Sequence, residues 1–165
     1  MPFRKRGVQV ALIAGLLLSA SCAHATSFSV SFPRSRSAQA LDGRVFLLLS
    51  TDPSDEPRIQ IDDSVRTQMM FGMDVDGMKP GQTVVVDDSA NGYPIRSLLD
   101  VPPGEYYVQS VLHRFETFLP SVFHTVQLPL VRVDVQPWNI SLGNLFSPPR
   151  KLPLVSSAPP VSSLF

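Results

Sequence analysis

Short stretches in which apolar and polar residues alternate, separated by Pro, Gly, Asp and Ser, run through most of the chain. Phe28–Phe32 alternates with a period of two, which is typical of a strand with one buried face. Glu105–His113 is the best strand, because a Pro-Pro-Gly turn precedes it and its aromatic and β-branched residues suit a pleated surface. The other predicted strands are Arg44–Leu49, Arg58–Ile61, Met69–Val75, Thr83–Val86 and Thr125–Val135.

About seven strands separated by turns, with no amphipathic helix, predict an all-β fold. We expect an antiparallel β-sandwich of the immunoglobulin-like or transthyretin-like type. A short helical turn is predicted at Ser97–Asp100, and Gly72 is a candidate bulge. Tyr106 follows the Pro-Pro-Gly corner, where its hydroxyl can bond back to the upstream backbone. The alternative is that Tyr106 and Tyr107 simply alternate between core and surface.

The first 25 residues have the three parts of a secretory signal peptide. Residues 4–6 (Arg-Lys-Arg) are charged, Val8–Leu18 is mostly apolar, and Ala23-His24-Ala25 has the small-x-small form of a cleavage site. The apolar run spans about 16 Å as a helix, too short for the ~30 Å core of a bilayer. We therefore expect residues 1–25 to be a signal peptide, and no transmembrane helix in the mature chain.

The only cysteine, Cys22, lies inside that signal segment. Cleavage after Ala25 leaves no thiol, and export without disulfides indicates a bacterial periplasmic or secreted protein. The alternative is a lipoprotein acylated at Cys22. Ser21 fits the small residue that such signals need before the cysteine, whereas Ser19 stands where they usually have an aliphatic residue.

The mature chain divides into a folded part and a tail. Residues 26–146 carry all the predicted strands and form the expected β-sandwich domain. Residues 147–165 contain five Pro and five Ser, a composition that buries too little apolar surface to repay its ordering entropy. We expect this segment to be a disordered linker or tail.

Charge excludes one class of partner. Without the three basic residues of the signal, 11 of the 14 basic residues remain against 14 acidic ones, a formal charge of −3. Binding to nucleic acid needs a clustered basic surface. No nucleic acid is therefore expected among the partners.

No stretch carries a self-sufficient catalytic or metal-binding pattern. There is no Gly-x-Ser-x-Gly elbow. His113 lies inside a predicted strand, and His124 lies near Ser121 in a loop without a third partner. Asp87–Gly92 matches the first half of a calcium loop, but Leu98 stands where the bidentate Glu belongs, and turn chemistry explains the same residues. We expect no catalytic residue, no cofactor and no metal.

Aromatic residues offer a candidate binding surface. Its members are Tyr93, Phe115, Phe118, His124 and Trp138, which could form a strip that binds a sugar or a protein partner. Packing in the core is the simpler explanation for each of the aromatic side chains.

Several motifs occur in an order that resembles a known domain. They are Leu41-Asp42-Gly43-Arg44, Leu47–Asp52, Glu56-Pro57-Arg58, Gly92-Tyr93-Pro94, Pro102–Gln109, Arg114–Phe118, His124–Pro129 and Trp138-Asn139. Together they resemble the N-terminal β-domain of secreted bacterial esterases, from about Phe28 to Ser147. Pro129–Asp134 departs from that family, because it is more apolar than the charged, Gly-containing loop expected there.

The resemblance implies a module that precedes an α/β-hydrolase domain, whose catalytic serine, histidine and acid would lie past Phe165. The first hypothesis is therefore an exported, non-catalytic β-sandwich with a docking or substrate-presenting role. Its partner would be a hydrolase domain encoded downstream or a cell-surface partner. The second hypothesis is a free-standing exported binding protein or lipoprotein that recognises a surface partner or glycan. The third is a hydrolase in its own right, which the missing elbow disfavours.

Overall fold

The computed structural model describes residues 26–62, 64, 67–118, 126–129, 138–141 and 143–154. The strands of this part are β1 (Phe28–Val30), β2 (Leu41–Ser50), β3 (Met69–Met78), β4 (Val84–Val86), β5 (Asn91–Tyr93), β6 (Gly104–Phe118), β7 (Val126–Pro129), β8 (Leu145–Phe146) and β9 (Arg150–Leu154). Three 3-10 turns accompany them, at Pro57–Ile59, Leu98–Asp100 and Trp138–Ile140. All strand pairs are antiparallel, which confirms the all-β prediction at this level.

The long strand β6 organises the larger, seven-stranded sheet. One edge of β6 pairs with β2 over eight positions, from Gly43 opposite Arg114 to Ser50 opposite Tyr107. Beyond β2 the order continues with β3 and β5. The other edge of β6 pairs in turn with β9, β8 and β7. β1 and β4 form a separate two-stranded sheet.

One face of the larger sheet carries the hydrophobic core. Val45 and Leu47 of β2 are fully buried there, and Leu47 lies opposite Phe71 of β3. Phe28 of β1 and Val86 of β4 belong to the same buried cluster. Residues of both sheets therefore share one core, and the alternation over Phe28–Phe32 reflects a strand with one buried face.

Two local predictions are confirmed. The Tyr106 hydroxyl donates a hydrogen bond of 2.8 Å to the Pro102 carbonyl oxygen, which closes the corner before β6. The predicted helical turn is the 3-10 turn Leu98–Asp100, and the Ser97 hydroxyl caps it by accepting a bond of 3.2 Å from the Leu99 amide. Ser is a favoured cap because its short side chain reaches that orphan amide.

Two other local predictions are wrong. Arg58–Ile61 is not a strand, because Pro57 starts a 3-10 turn there. The Arg58 amide bonds to the side-chain oxygen of Gln109 instead of to a neighbouring strand. Gly72 is paired in regular register with Phe46, and the irregularity between β2 and β3 lies at Leu41 and Gly43 instead.

The predicted tail needs a correction over Ser147–Leu154. Arg150–Leu154 is strand β9, paired with the start of β6, and Leu154 is buried in the core. Ser147 is also buried, and its hydroxyl accepts a bond of 2.9 Å from the Ser110 amide. Composition does not show that this segment can pair with a strand far away in sequence. That pairing supplies the stabilisation that the segment lacks by itself. Residues 155–165 lie outside the described part, as does the predicted signal peptide at 1–25.

Within the described residues, no helix has the length and apolar character needed to cross a membrane.

Candidate functional site: an aromatic cluster on the second face of the sheet

The larger sheet has a second face, opposite the core. Side chains alternate between the two faces along a strand. Because Leu47 faces the core, its neighbours Phe46 and Leu48 face the other side. β6 contributes Val111, opposite Phe46, and Gln109, opposite Leu48. Leu48 and Val111 are fully buried, so something covers this face over its centre.

Four ring side chains lie together on the second face, and we call them the aromatic cluster: Phe46, His113, Phe115 and Trp138. The Trp138 ring packs against Phe46 with centroids 4.5 Å apart. The His113 ring lies 6.2 Å from Trp138 and 6.5 Å from Phe46, and Phe115 meets its edge at 6.0 Å. Tilted and edge-on contacts of this kind add to the stabilisation that burial gives the rings. The 3-10 turn that begins at Trp138 therefore covers part of the second face.

His113 is the chemically distinctive member of the cluster. It is 7% exposed, and its Nε2 atom has no hydrogen-bond partner in the described part of the chain. Burial lowers the pKa of the imidazole, because the charged form loses its hydration. Arg44 lies directly opposite His113 on β2. An imidazole packed among aromatic rings, with a lowered pKa, fits a structural role better than that of a general base.

Arg44 forms the rim of the aromatic cluster. Its guanidinium pairs with Asp74 at 2.7 Å and lies 5.8 Å above the Phe46 ring. A second nitrogen donates to the Gly72 carbonyl oxygen at 3.3 Å. The side chains of Arg44 and Phe46 both lie over Gly72, because a Cβ added there would sit 2.8 Å from Arg44 and 2.9 Å from Phe46. Gly72 therefore leaves the room that these two side chains occupy.

The covering turns are held on the sheet by a set of hydrogen bonds that we call the clasp, which joins Glu56, Arg58, Gln109, Asn139 and Ser147. The buried Gln109 amide donates 2.9 Å bonds to Glu56 and to the Ser147 carbonyl oxygen, and accepts from the Arg58 amide at 3.1 Å. Arg58 donates to the Asn139 carbonyl oxygen at 3.2 Å, and the Asn139 side-chain amide donates back to the Arg58 carbonyl oxygen at 2.5 Å. These reciprocal bonds join the turns Pro57–Ile59 and Trp138–Ile140 to each other.

Charge inside the clasp is paired. Arg58 and Glu56 are 2.7 Å apart, and the guanidinium of Arg58 lies 4.5 Å above the Phe146 ring. Hydrogen bonds from Arg58 and Gln109 lower the pKa of the Glu56 carboxyl, since they favour its charged form. The clasp therefore presents little uncompensated charge at neutral pH.

An exposed apolar residue directly follows Arg58 and another directly follows Asn139. Ile59 is 43% exposed and Ile140 is 38% exposed. Trp138, in the same turn as Ile140, is half-buried, so the two turns that Arg58 and Asn139 join carry apolar side chains that reach solvent.

The structure brings together only part of the predicted binding surface. Phe115 and Trp138 meet around His113, but Tyr93 lies on the edge strand β5, which β3 separates from β2. Phe118 is in β6, and its side chain is outside the description. His124 and Cys22 also lie outside the described residues.

Sequence reasoning missed Phe46 as a member of the cluster. It sits in an apolar run that indicates burial on both faces, and only the strand register shows that it meets Trp138. The signal available in the sequence was its position between core residues of β2, which puts it on the opposite face.

Tyr93 belongs to a cleft of its own. Asn91, Gly92, Tyr93, Pro94 and Arg96 line a cavity of about 480 Å³. The peptide bond between Tyr93 and Pro94 is cis.

Acidic residues are used in turns and ion pairs. Asp87 accepts bonds from the amide and hydroxyl of Ser89 at 3.0 and 2.6 Å, as the turn interpretation of this segment requires. Asp62 accepts similarly from the Ser64 amide at 2.7 Å. In the described part of the chain, no three residues among His, Cys, Asp and Glu are grouped closely enough to share a metal ion.

A scan against protein-family models, a search of curated proteins and a search of solved structures each found no match to this chain. The resemblance to the N-terminal domain of esterases therefore rests on the sequence motifs and enters the proposal below.

Proposed function

We propose that the chain is an exported, non-catalytic β-sandwich module that docks onto a hydrolase domain through the second face of its larger sheet. The immunoglobulin-like or transthyretin-like architecture is part of this proposal. The shared core of the two sheets supports the layered arrangement. A mature chain that is unfolded or mainly helical by circular dichroism would contradict it.

One observation carries the docking role: a fixed apolar surface with its charges already paired. Ile59 and Ile140 are exposed, and each directly follows one of the two residues, Arg58 and Asn139, whose hydrogen bonds join the turns. The centre of a protein interface is depleted in unpaired charge and enriched in aromatic residues and Arg. Because Arg58 already pairs with Glu56, covering this surface leaves no isolated buried charge.

The hydrolase partner comes from the resemblance, and the genome tests it. We expect the coding sequence downstream of the codon for Phe165, in the same or the next reading frame, to encode a Gly-x-Ser-x-Gly elbow. The absence of such a frame would remove the reason for choosing a hydrolase as the partner.

Turnover of p-nitrophenyl esters separates a module from an enzyme. The purified mature chain should show no turnover above that of buffer. Turnover that is lost in Ser121→Ala would instead establish the third hypothesis, a hydrolase in its own right.

Export is also proposed, either free or lipid-anchored. Labelled palmitate separates the two forms, since only a lipoprotein takes up the label and loses it in Cys22→Ala. We expect no uptake, because Ser19 does not fit a lipoprotein signal.

A further inference from the structure

We propose a second site, at the β5 edge of the larger sheet, that binds a saccharide carrying a carboxylate, such as a uronic acid residue. The site is the cleft of about 480 Å³ lined by Asn91, Gly92, Tyr93, Pro94 and Arg96. Small-molecule sites have volumes of roughly 300–1,000 Å³. The cleft is separated from β2 by β3, and its lining includes neither Ile59 nor Ile140, so this inference does not rest on the docking proposal.

The backbone fixes the shape of the cleft. The Gly92 amide donates a bond of 3.0 Å to the Arg96 carbonyl oxygen, which closes the turn. Gly92 pairs with Phe71 on the core face, where an added Cβ would lie 2.6 Å from the Phe71 ring. Asn91 and Tyr93 are the neighbours of Gly92 along the strand, so their side chains point away from the core.

Tyr93 supplies a flat apolar surface. It is 41% exposed, and its ring packs against no other aromatic ring of the described part. One face of a pyranose ring consists of C–H bonds, and such a face packs on an aromatic ring with little loss of hydration. An exposed ring beside a cleft can therefore hold a sugar ring in one orientation.

Arg96 supplies the charge that selects an acid. It is exposed, and within the described residues it forms no ion pair. Arg44 and Arg58 differ in this respect, since each is held by a carboxylate at 2.7 Å. A free guanidinium presents a planar fork of donors that matches a carboxylate with two parallel bonds.

Asn91 completes the set, because its side-chain amide offers both donors and an acceptor to neighbouring hydroxyls. A neutral sugar would leave Arg96 without a partner, and a simple carboxylate would leave the Tyr93 ring uncovered. A uronic acid uses the ring, the fork and the amide together, and this is why we choose it over either alternative.

The test is a calorimetric titration of the mature chain with trigalacturonate and with its methyl ester, which keeps the rings and removes the charge. We expect the acid to bind at least about tenfold more tightly, the equivalent of one charge-assisted contact. Arg96→Gln should abolish this preference, and Arg96→Lys should keep only part of it, because it retains the charge without the fork. Tyr93→Leu should weaken binding of both probes.

The control is Arg34→Gln, which removes an exposed arginine from the turn after β1 and should leave both affinities unchanged. Far-UV circular dichroism checks that each variant is folded. Absence of trigalacturonate binding, equal affinity for the ester, or an undiminished preference in Arg96→Gln would overturn the proposal. A loss of the preference in Arg34→Gln equal to that in Arg96→Gln would also overturn it, because it would show that the acid is attracted to positive charge in general and binds at no particular site. None of these outcomes affects the docking proposal, which concerns Ile59 and Ile140.

Discussion

At the residue scale, Tyr106 holds the corner before β6 with a single hydrogen bond. The ring is 4% exposed, and its hydroxyl donates to the Pro102 carbonyl oxygen at 2.8 Å. Tyr106→Phe keeps the packing and removes the bond, so we expect the free energy of unfolding to fall by about 1 kcal/mol. Urea unfolding measures it. Tyr107→Phe is the matched control, because the hydroxyl of Tyr107 has no hydrogen bond within the described residues, and an equal loss there would contradict this role.

Gly43 is the residue where β2 and β6 approach too closely for any side chain. A Cβ at this position would clash with the carbonyl oxygen of His113, a backbone atom that cannot move aside. We expect Gly43→Ala to cost about 1–3 kcal/mol through overpacking, measured by thermal or urea unfolding. Gly104→Ala is the control, since its added Cβ would meet its nearest neighbour at 3.4 Å. The explanation fails if the two variants are equally stable.

At the element scale, the turn Pro57–Ile59 is attached to β6 by the Glu56 carboxylate. The pKa of Glu56 lies below its ordinary value of 4.5 because Arg58 and Gln109 donate to the charged form. A folded-state pKa lowered in this way contributes stability above the unfolded value, and the contribution is lost as the pH falls through the folded value. We therefore expect the free energy of unfolding to fall less for Glu56→Gln than for the wild type when the pH is lowered from about 7 to about 3.

Glu105→Gln serves as the control for that titration. Glu105 pairs with Lys151 at 2.7 Å, but both side chains are largely exposed, so water screens the pair. Its pH dependence should match that of the wild type. If Glu56→Gln keeps the full wild-type loss, the clasp is not held by the ionised carboxylate.

Strand β9 is the element that composition conceals. Leu154 is 4% exposed in the core and lies opposite Gly104 at the start of β6. Leu154→Ala should lower the free energy of unfolding by about 2–5 kcal/mol, as truncations of buried leucines do. Leu99, 57% exposed, provides the control, and Leu99→Ala should change stability little. A neutral Leu154→Ala would mean that β9 does not contribute to the fold in solution.

At the scale of the whole molecule, local patterns predict most strands, because a period of two records which face of a strand is buried. They do not predict β9, whose Pro and Lys content resembles a linker until β6 lies beside it. They also predict a strand at Arg58–Ile61, where the side chain of Gln109, far away in sequence, takes the backbone bond. Candidate sites are the hardest to predict, because local patterns do not show which distant residues come into contact. The cluster of Phe46 with Trp138, and the separation of Tyr93 from both, follow from strand order and register.

The central claim is that this fold is a module that docks through its second face. A calorimetric titration of residues 26–165 with the proposed hydrolase partner tests it most directly. We predict binding that Ile59→Asp and Ile140→Asp each weaken by at least about tenfold, since a charge would be buried in the interface. Val85→Asp, which alters an equally exposed apolar residue on β4 (46% exposed), should bind like the wild type. Absence of binding, or equal binding by all three variants, would contradict the claim.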